Sequence, residues 1–439
     1  MFGGAGIGGV FLVDSTTYSQ CRELYSDGFR AGRIFFILFP MTHTTASLGT
    51  RAVHAGRADL AGLGVHVPPI DLSTTNPLPD VELSGACYEA MATGGLPVPG
   101  GSHVYQRLWN PTVGRFEQAL AELEHCEQAV AFASGMAATS ACLLAAVAEG
   151  KRHVVAVRPL YGGTDHVLAT GLLGSEVTWA EPAGVAGALR ADTGLVVVET
   201  PGNPTLELLD LADLVRQCGG DASGGGVPLL VDNTFATPIL QQPADLGATL
   251  VVHSATKYLG GHGDVLAGVV ATSAEWAEKL RRVRAVTGGI LHPLAAYLLH
   301  RGLQTLPLRI RHQSESAQKL ADWLTGHPAV ERVYYPGLAE CDPQQLVGRQ
   351  MSGPGAILAI SVRGGLEAAA RVAGACELIT HAVSLGGVDT LIQHPASLTH
   401  RVVTADAKPH ASVLRLSIGL EDVDDLRADL ERALRAAAG

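Results

Sequence analysis

The chain has no block of lysine or arginine, no two cysteines in Cys-x-x-Cys spacing, and no apolar run long enough to cross a bilayer. Each absence removes a class of function. Basic residues number 31 against 42 acidic ones, a formal charge of −11, so nucleic acid and anionic membranes are poor partners. The seven cysteines are scattered and odd in number, which fits reduced, cytoplasmic thiols and not a disulfide framework or a zinc site. Ile34–Phe39 is apolar but far too short for a membrane span. No basic segment precedes it and acidic residues interrupt the region, which argues against a secretory signal. Internal repeats and low-complexity tracts are absent as well.

What is present suits a compact α/β protein. The 439 residues are 47% hydrophobic and 17% charged, enough for a large core and two or three domains. Gly4-Ala5-Gly6-Ile7-Gly8-Gly9 satisfies Gly-x-Gly-x-x-Gly, but no strand precedes it and no helix follows, so it is not a dinucleotide fingerprint. Residues 1–40 match nothing downstream; Met41 is the expected true start, and 1–40 is expected to stand outside the fold. From Thr42 to Trp109 the chain is rich in Pro, Gly and Ser with little periodicity, which reads as an interaction arm.

Asn110-Pro111 opens a helix, with Asn as cap and Pro in the first position. Phe116, Leu120 and Leu123 form its apolar stripe, with Glu117, Glu122 and Glu124 expected outward. Short apolar strands then alternate with helices: Ala129–Ala133, His153–Val157, Leu195–Val198, Leu229–Val231, Leu250–Val252 and Leu266–Val270. Such alternation predicts a mostly parallel sheet covered by helices. A smaller C-terminal α/β domain follows, with a helix over Arg309–Leu324, strands near Val330–Tyr335 and Ala356–Val362, and a final helix over Val423–Ala437. The expected division is 1–109 extension and arm, 110–306 sheet domain, and 307–439 C-terminal domain.

One stretch organises the chemistry. The apolar run Thr249–Val252 ends in Ser254-Ala255-Thr256-Lys257 and a glycine-rich turn. A lysine among small residues just past a buried strand is poorly solvated. Its pKa falls, and it can form a Schiff base with a carbonyl cofactor, while the flanking hydroxyls could hold a phosphate. Ser134, Glu199, Thr200, Asp232 and Ser254 all sit just after strands, where open α/β sheets bind ligands. His253, His262 and Asp264 flank the lysine but diverge in direction, so no metal is expected.

The series Tyr105-Gln106-Arg107-Leu108-Trp109-Asn110-Pro111-Thr112, Ser134-Gly135-Met136, Tyr161-Gly162-Gly163-Thr164, Glu199-Thr200-Pro201-Gly202-Asn203-Pro204, Asp232-Asn233-Thr234, Ser254-Ala255-Thr256-Lys257-Tyr258, Ser384-Leu385-Gly386-Gly387 and Arg415-Leu416-Ser417 resembles the Cys/Met-metabolism family of pyridoxal-phosphate (PLP) enzymes, in family order. The resemblance implies an aspartate-aminotransferase-like fold of type I. It makes Lys257 the Schiff-base lysine and Asp232 the partner of the pyridine nitrogen, where an anion makes the ring an electron sink. Ser134, Gly135, Met136, Ser254 and Thr256 would hold the phosphate at a helix start. Tyr161 would stack on the ring and move protons, and Asn203 would bond the ring oxygen. Ser384 and Arg415 would bind the substrate carboxylate, a bidentate fit for Arg. Tyr105 and Arg107 would reach a neighbouring subunit's phosphate, in a homotetramer of dimers that share active sites.

The implied reaction is γ-elimination on a sulfur amino acid of the methionine, homocysteine or cystathionine type. The alternatives are γ-replacement on an activated homoserine and, from another class, an aminotransferase. The details that bear on subclass conflict. Ala382-Val383-Ser384 is similar to methionine γ-lyases, whereas cystathionine γ-lyases usually place Glu where Val383 stands. Gly163 stands where methionine γ-lyases typically carry Cys, and Ala285-Val286 falls near the place of a usual Lys-Asp pair. Trp109 adds bulk before Asn110 without an assigned role.

Overall fold

The computed structural model describes residues 46–401, 403, 404 and 408–438; the expectations for residues 1–40 lie outside these. The arm is not uniformly irregular. It contains helices α1, Leu48–His54, and α2, Val81–Ala92, the latter capped by Asp80, whose side chain accepts from Leu83 N. Periodicity missed α2 because Val81, Leu83 and Tyr88 face solvent, while only Ser84, Cys87 and Met91 are buried. The proline-bearing stretches 67–70 and 96–99 are neither helix nor strand.

Helix α3, Pro111–Leu123, begins where Asn110 accepts hydrogen bonds from Thr112 N and Val113 N. Its acidic residues correct the expectation. Glu117 and Glu124 are buried: Glu117 Oε1 accepts from Arg284 Nη1 at 2.5 Å and from Ala131 N at 2.8 Å, and Glu124 pairs with His253. Buried carboxylates need such partners, and both partners are remote in sequence.

The chain then alternates β1, Gln128–Phe132; α4, Gly135–Ala148; β2, His153–Ala156; α5, Gly162–Thr170; β3, Glu176–Trp179; β4, Thr193–Glu199; α6, Leu211–Gln217; β5, Leu229–Asp232; β6, Leu250–His253; β7, Gly268–Thr272; and α7, Ala274–Thr287. Strand β3, at the sheet edge and partly exposed, carries little apolar signal and was not expected. The seven strands lie in the order β1-β7-β6-β5-β4-β2-β3. Neighbours from β6 to β3 pair in parallel, while β7 is antiparallel to both β6 and β1.

Both faces are buried. Phe132, Val154, Val197, Leu230 and Val252 meet residues of α4 and α7. On the other face, Ala131, Val251 and Val269 meet α3, and Val155, Val196 and Val231 meet α6. Alternation along each strand thus feeds two apolar layers, and each buried Val or Leu contributes about 1.5–3 kcal/mol.

Helix α8, Pro293–Thr325, is twice as long as the expected Arg309–Leu324 and runs through Pro307. Residues Ala296–Ile310 pack in the first sheet's core, and Ala317–Leu324 pack against the second sheet. That sheet has the order β10-β11-β12-β9-β8, from β8, Val330–Tyr334; β9, Ile357–Val362; β10, Thr380–His381; β11, Leu391–Gln393; and β12, Val413–Ser417. Helices α9, Gly365–Ala375, and α10, Val423–Ala438, cover it. No helix among the described residues is long and apolar enough to cross a membrane.

Candidate active site

The site forms where β4, β5 and β6 end. Asp232 closes β5 and pairs in register with Glu199 at the end of β4 and with Val252 on β6. The loop from β6 to β7 carries Lys257. Its neck is drawn shut by Thr256, whose Oγ1 donates to Ala267 O at 3.1 Å and accepts from Ala267 N at 2.9 Å. Its far side is held by α8. Arg309 Nη1 donates to Tyr258 O at 2.8 Å, and a Cβ on Gly302 would lie 2.3 Å from Leu259 O, so only glycine allows this approach.

Lys257 Nζ donates to Ser384 Oγ at 2.6 Å. Burial first, then the Arg415 charge, lowers its ammonium from the ordinary 10.5 to about 8. Ser384 takes φ 90, a left-handed conformation unusual for serine, on the loop after β10. Arg415, in β12, is 3% exposed. Its Nη1 donates to Asn203 Oδ1 at 2.9 Å and its Nη2 to Ser384 O at 2.7 Å, while Nε is buried with no hydrogen-bond partner among the described residues.

Asp232 Oδ1 accepts from Thr234 Oγ1 at 2.5 Å and from Thr234 N at 3.0 Å. Burial pushes its carboxyl upward, against the Thr234 hydrogen bonds and the nearby His253. Thr234 Oγ1 also accepts from Ser254 N at 2.9 Å, tying the aspartate to the lysine loop. Ser134 caps α4 by accepting from Ala137 N at 3.1 Å. A Cβ on Gly135 would lie 3.0 Å from Ser254 Cβ, so the start of α4 abuts Ser254. Met136 packs near Tyr161: a Cβ on Gly163 would meet Met136 Sδ at 3.0 Å and Tyr161 Cε1 at 2.6 Å. Tyr161 is partly exposed, and its backbone N–H donates to Glu199 Oε2 at 2.6 Å.

Lys257, Asp232, Asn203, Ser254, Ser384 and Arg415 are thus joined directly or through one residue. Tyr105 and Arg107 stand apart on the arm. Arg107 Nη1 donates to Ala285 O, and its guanidinium lies 5.5 Å from the centre of the Tyr105 ring. Glu199 and Thr234 stood in the sequence motifs without an assigned role, and the buried Glu124–His253 pair, at 2.5 Å, was not expected. The positions of Glu199 and Thr234 at strand ends were the available signal. Trp109 packs its ring on Gly114 and lies 4.4 Å from the His103 ring, a packing role. Among the described residues no cluster suits a metal ion.

A desolvated amine on a loop tied through Thr234 to a buried carboxylate, with Ser254 of that loop against a helix start where free N–H groups attract anions, suits a carbonyl cofactor bearing a phosphate. With this sheet and the smaller second one, that defines a PLP-dependent enzyme of fold type I. The match to known proteins is specific: residues 49–435 fit the Cys/Met metabolism PLP-dependent enzymes, and the chain belongs to that family. It is 60% identical over 388 residues to an L-methionine gamma-lyase of Brevibacterium aurantiacum, covering 88% of this chain and 94% of that one. It is 58% identical over 392 residues to an L-methionine gamma-lyase of Streptomyces avermitilis, covering 88% and 89%. The solved cystathionine gamma synthase of Xanthomonas oryzae pv. oryzae, in complex with aminoacrylate and cysteine, superposes with a TM-score of 0.80 at 35% identity, over 89% of this chain and 98% of that one. The residues present fit PLP. Arg415 Nε has no hydrogen-bond partner among the described residues, and the start of α4 at Gly135 lies against Ser254 of the lysine loop, so donors suited to an anionic ligand adjoin the lysine.

Proposed function

We propose that the protein catalyses PLP-dependent γ-elimination on a sulfur amino acid, with methionine the first substrate to test. The observation that carries this reading is the line Lys257–Ser384–Arg415, a desolvated amine one residue away from a buried guanidinium. That pairing suits an α-amino acid, whose carboxylate a guanidinium can hold while the amine acts at the adjoining carbon. The relatives named L-methionine gamma-lyase favour elimination among the reactions such a line can serve.

PLP, when bound, withdraws electrons from the substrate's Cα and makes its proton acidic. In this reading Lys257 is the Schiff-base lysine and moves protons at Cα and Cβ. Asp232 faces the pyridine nitrogen, Asn203 the ring oxygen, and Ser134, Gly135, Met136 and Ser254 the phosphate. Thr256 braces the lysine loop and reaches a phosphate only by releasing Ala267 O. Tyr161 holds a proton for the departing sulfur. Arg415 and Ser384 bind the carboxylate. Tyr105 and Arg107 complete a neighbouring chain's phosphate site, so the smallest active unit is a dimer; two dimers pair into a homotetramer, working in the cytoplasm.

The test is incubation with methionine, homocysteine, cystathionine and O-acetylhomoserine, with and without an added thiol. A 2-oxoacid and ammonia formed without added thiol support elimination. A thioether formed only from O-acetylhomoserine and thiol would assign γ-replacement, the reading favoured by the likeness to a cystathionine gamma synthase. A protein that stays colourless with PLP would overturn the cofactor reading.

A further inference from the structure

Glu199 takes no part in the chemistry described so far, yet it sits at the centre of the site. It ends β4, is 5% exposed, and lies opposite Asp232 in the sheet register. Its two oxygens face two different loops. Oε2 accepts from Tyr161 N at 2.6 Å, and Oε1 accepts from Asn203 N at 3.1 Å. Asn203 Oδ1 in turn accepts from Arg415 Nη1 at 2.9 Å, Arg415 Nη2 donates to Ser384 O at 2.7 Å, and Ser384 Oγ accepts from Lys257 Nζ at 2.6 Å. One side chain therefore joins the Tyr161 loop to a connected line that ends at the lysine.

We propose that Glu199 is a positioning residue, which holds the Tyr161 loop and the Asn203–Arg415 pair at a fixed separation so that phenol and guanidinium act on one substrate. The inference rests on the proposed PLP reading of this site. Its chemical logic is the donor set. Two backbone N–H groups converge on one side chain, and only a carboxyl group can accept at both oxygens. A glutamine would accept at one loop and set its own N–H₂ against the other loop's N–H. Aspartate, one methylene shorter, cannot span both. Tyr161 gains from this anchor because the residue is 41% exposed and packing holds it only in part. Arg415 needs it because Asn203 Oδ1 accepts one of its hydrogen bonds. A buried carboxyl next to Asp232 carries an electrostatic penalty, with burial and then Asp232 pushing its pKa well above the usual range. Such a group persists at a strand end only where its bonds offset that cost.

The experiment uses the full-length holoenzyme carrying Glu199→Gln, with thermal stability and cofactor content measured alongside. Binding of norleucine is compared with that of pentylamine, which lacks the carboxylate, both read from the perturbed cofactor absorbance. Wild type is expected to prefer the amino acid, and E199Q is expected to lose at least tenfold of that preference while binding the amine unchanged. Turnover should fall at least tenfold as well. A folded, cofactor-loaded E199Q that keeps the preference and kcat within twofold of wild type overturns the proposal. Because the preference is read from binding, it stands apart from whether the enzyme eliminates or replaces. If E199Q fails to fold, amide hydrogen exchange on wild type decides. The Tyr161 and Asn203 amides should exchange at least 1,000-fold more slowly than unprotected ones, and rapid exchange at either overturns the proposal.

Discussion

Lys257 and Ser384 are separated by 127 residues and belong to loops of different sheets, yet Nζ and Oγ meet at 2.6 Å. The first sheet supplies the amine and the second supplies its acceptor. The acceptor's own carbonyl is held by Arg415, so the lysine's environment depends on how the two sheets are joined through α8.

That environment sets a pH dependence. Burial and Arg415 lower the Lys257 pKa to about 8 in the folded chain, against 10.5 unperturbed. Between these values the unfolded chain holds a proton the folded chain has lost, so stability rises with pH. Below pH 8 both states are protonated and the full penalty, roughly 3 kcal/mol, applies. In cofactor-free protein, urea midpoints should therefore climb from about pH 8 to 10.5 relative to Lys257→Met, which lacks this contribution. Parallel curves for the two proteins would show that the lysine is not desolvated.

Arg415→Lys removes the planar fork that reaches Asn203 Oδ1 and Ser384 O together. A lysine ammonium is a point charge and cannot reproduce both contacts. The expected result is a rise in KM for the amino acid of about 100-fold, near 2.7 kcal/mol, with PLP still bound. An unchanged KM would take the carboxylate away from Arg415.

Gly163→Ala places a methyl 2.6 Å from Tyr161 Cε1 and 3.0 Å from Met136 Sδ. Met136 can yield, but the ring must move, and kcat should fall by about tenfold, near 1.4 kcal/mol. Gly187→Ala is the control, since its added Cβ meets nothing within 4 Å. Equal kinetics for both variants would show that the tyrosine ring position is not critical.

The Glu124–His253 pair is enclosed, with side chains 0% and 1% exposed. Glu124 Oε1 also accepts from Asn233 Nδ2 at 3.1 Å, directly after Asp232. Glu124→Ala leaves the His253 imidazole buried without its acceptor and the Asn233 amide with Gln241 O alone, and should cost about 3–5 kcal/mol. Chemical denaturation measures it; a loss below 1 kcal/mol would mean that the pair contributes little net stability.

Arg107→Ala and Lys257→Ala chains should each be weak or inactive alone. Mixed and reassociated, they should regain activity, because some dimers contain one site with both native residues. Chains that demonstrably exchange without recovery would assign Arg107 to its own subunit.

Much of the order of strands and helices was legible because most strands here are short apolar runs and several helices carry a periodic apolar stripe. Asn110-Pro111 marked the start of α3, and the glycine-rich turn after Lys257 marked the lysine loop. Local sequence also placed Ser134, Asp232 and Ser254 at strand ends, since a polar residue after a buried run has little choice but to leave the core. The edge strand β3 and the helix α2 were not legible, because their apolar residues are few or exposed. Nor could a sequence alone show that Glu117 and Glu124 turn inward. Their helical spacing places them beside polar positions, and only Arg284 and His253, brought in by α7 and β6, make burial tolerable. The join of Glu199 to Tyr161 and Asn203, and of Lys257 to Ser384, belongs to tertiary structure for the same reason. Hydrogen-bond partners are chosen by distances of about 3 Å, and folding alone brings residues 38 and 127 positions apart within that reach.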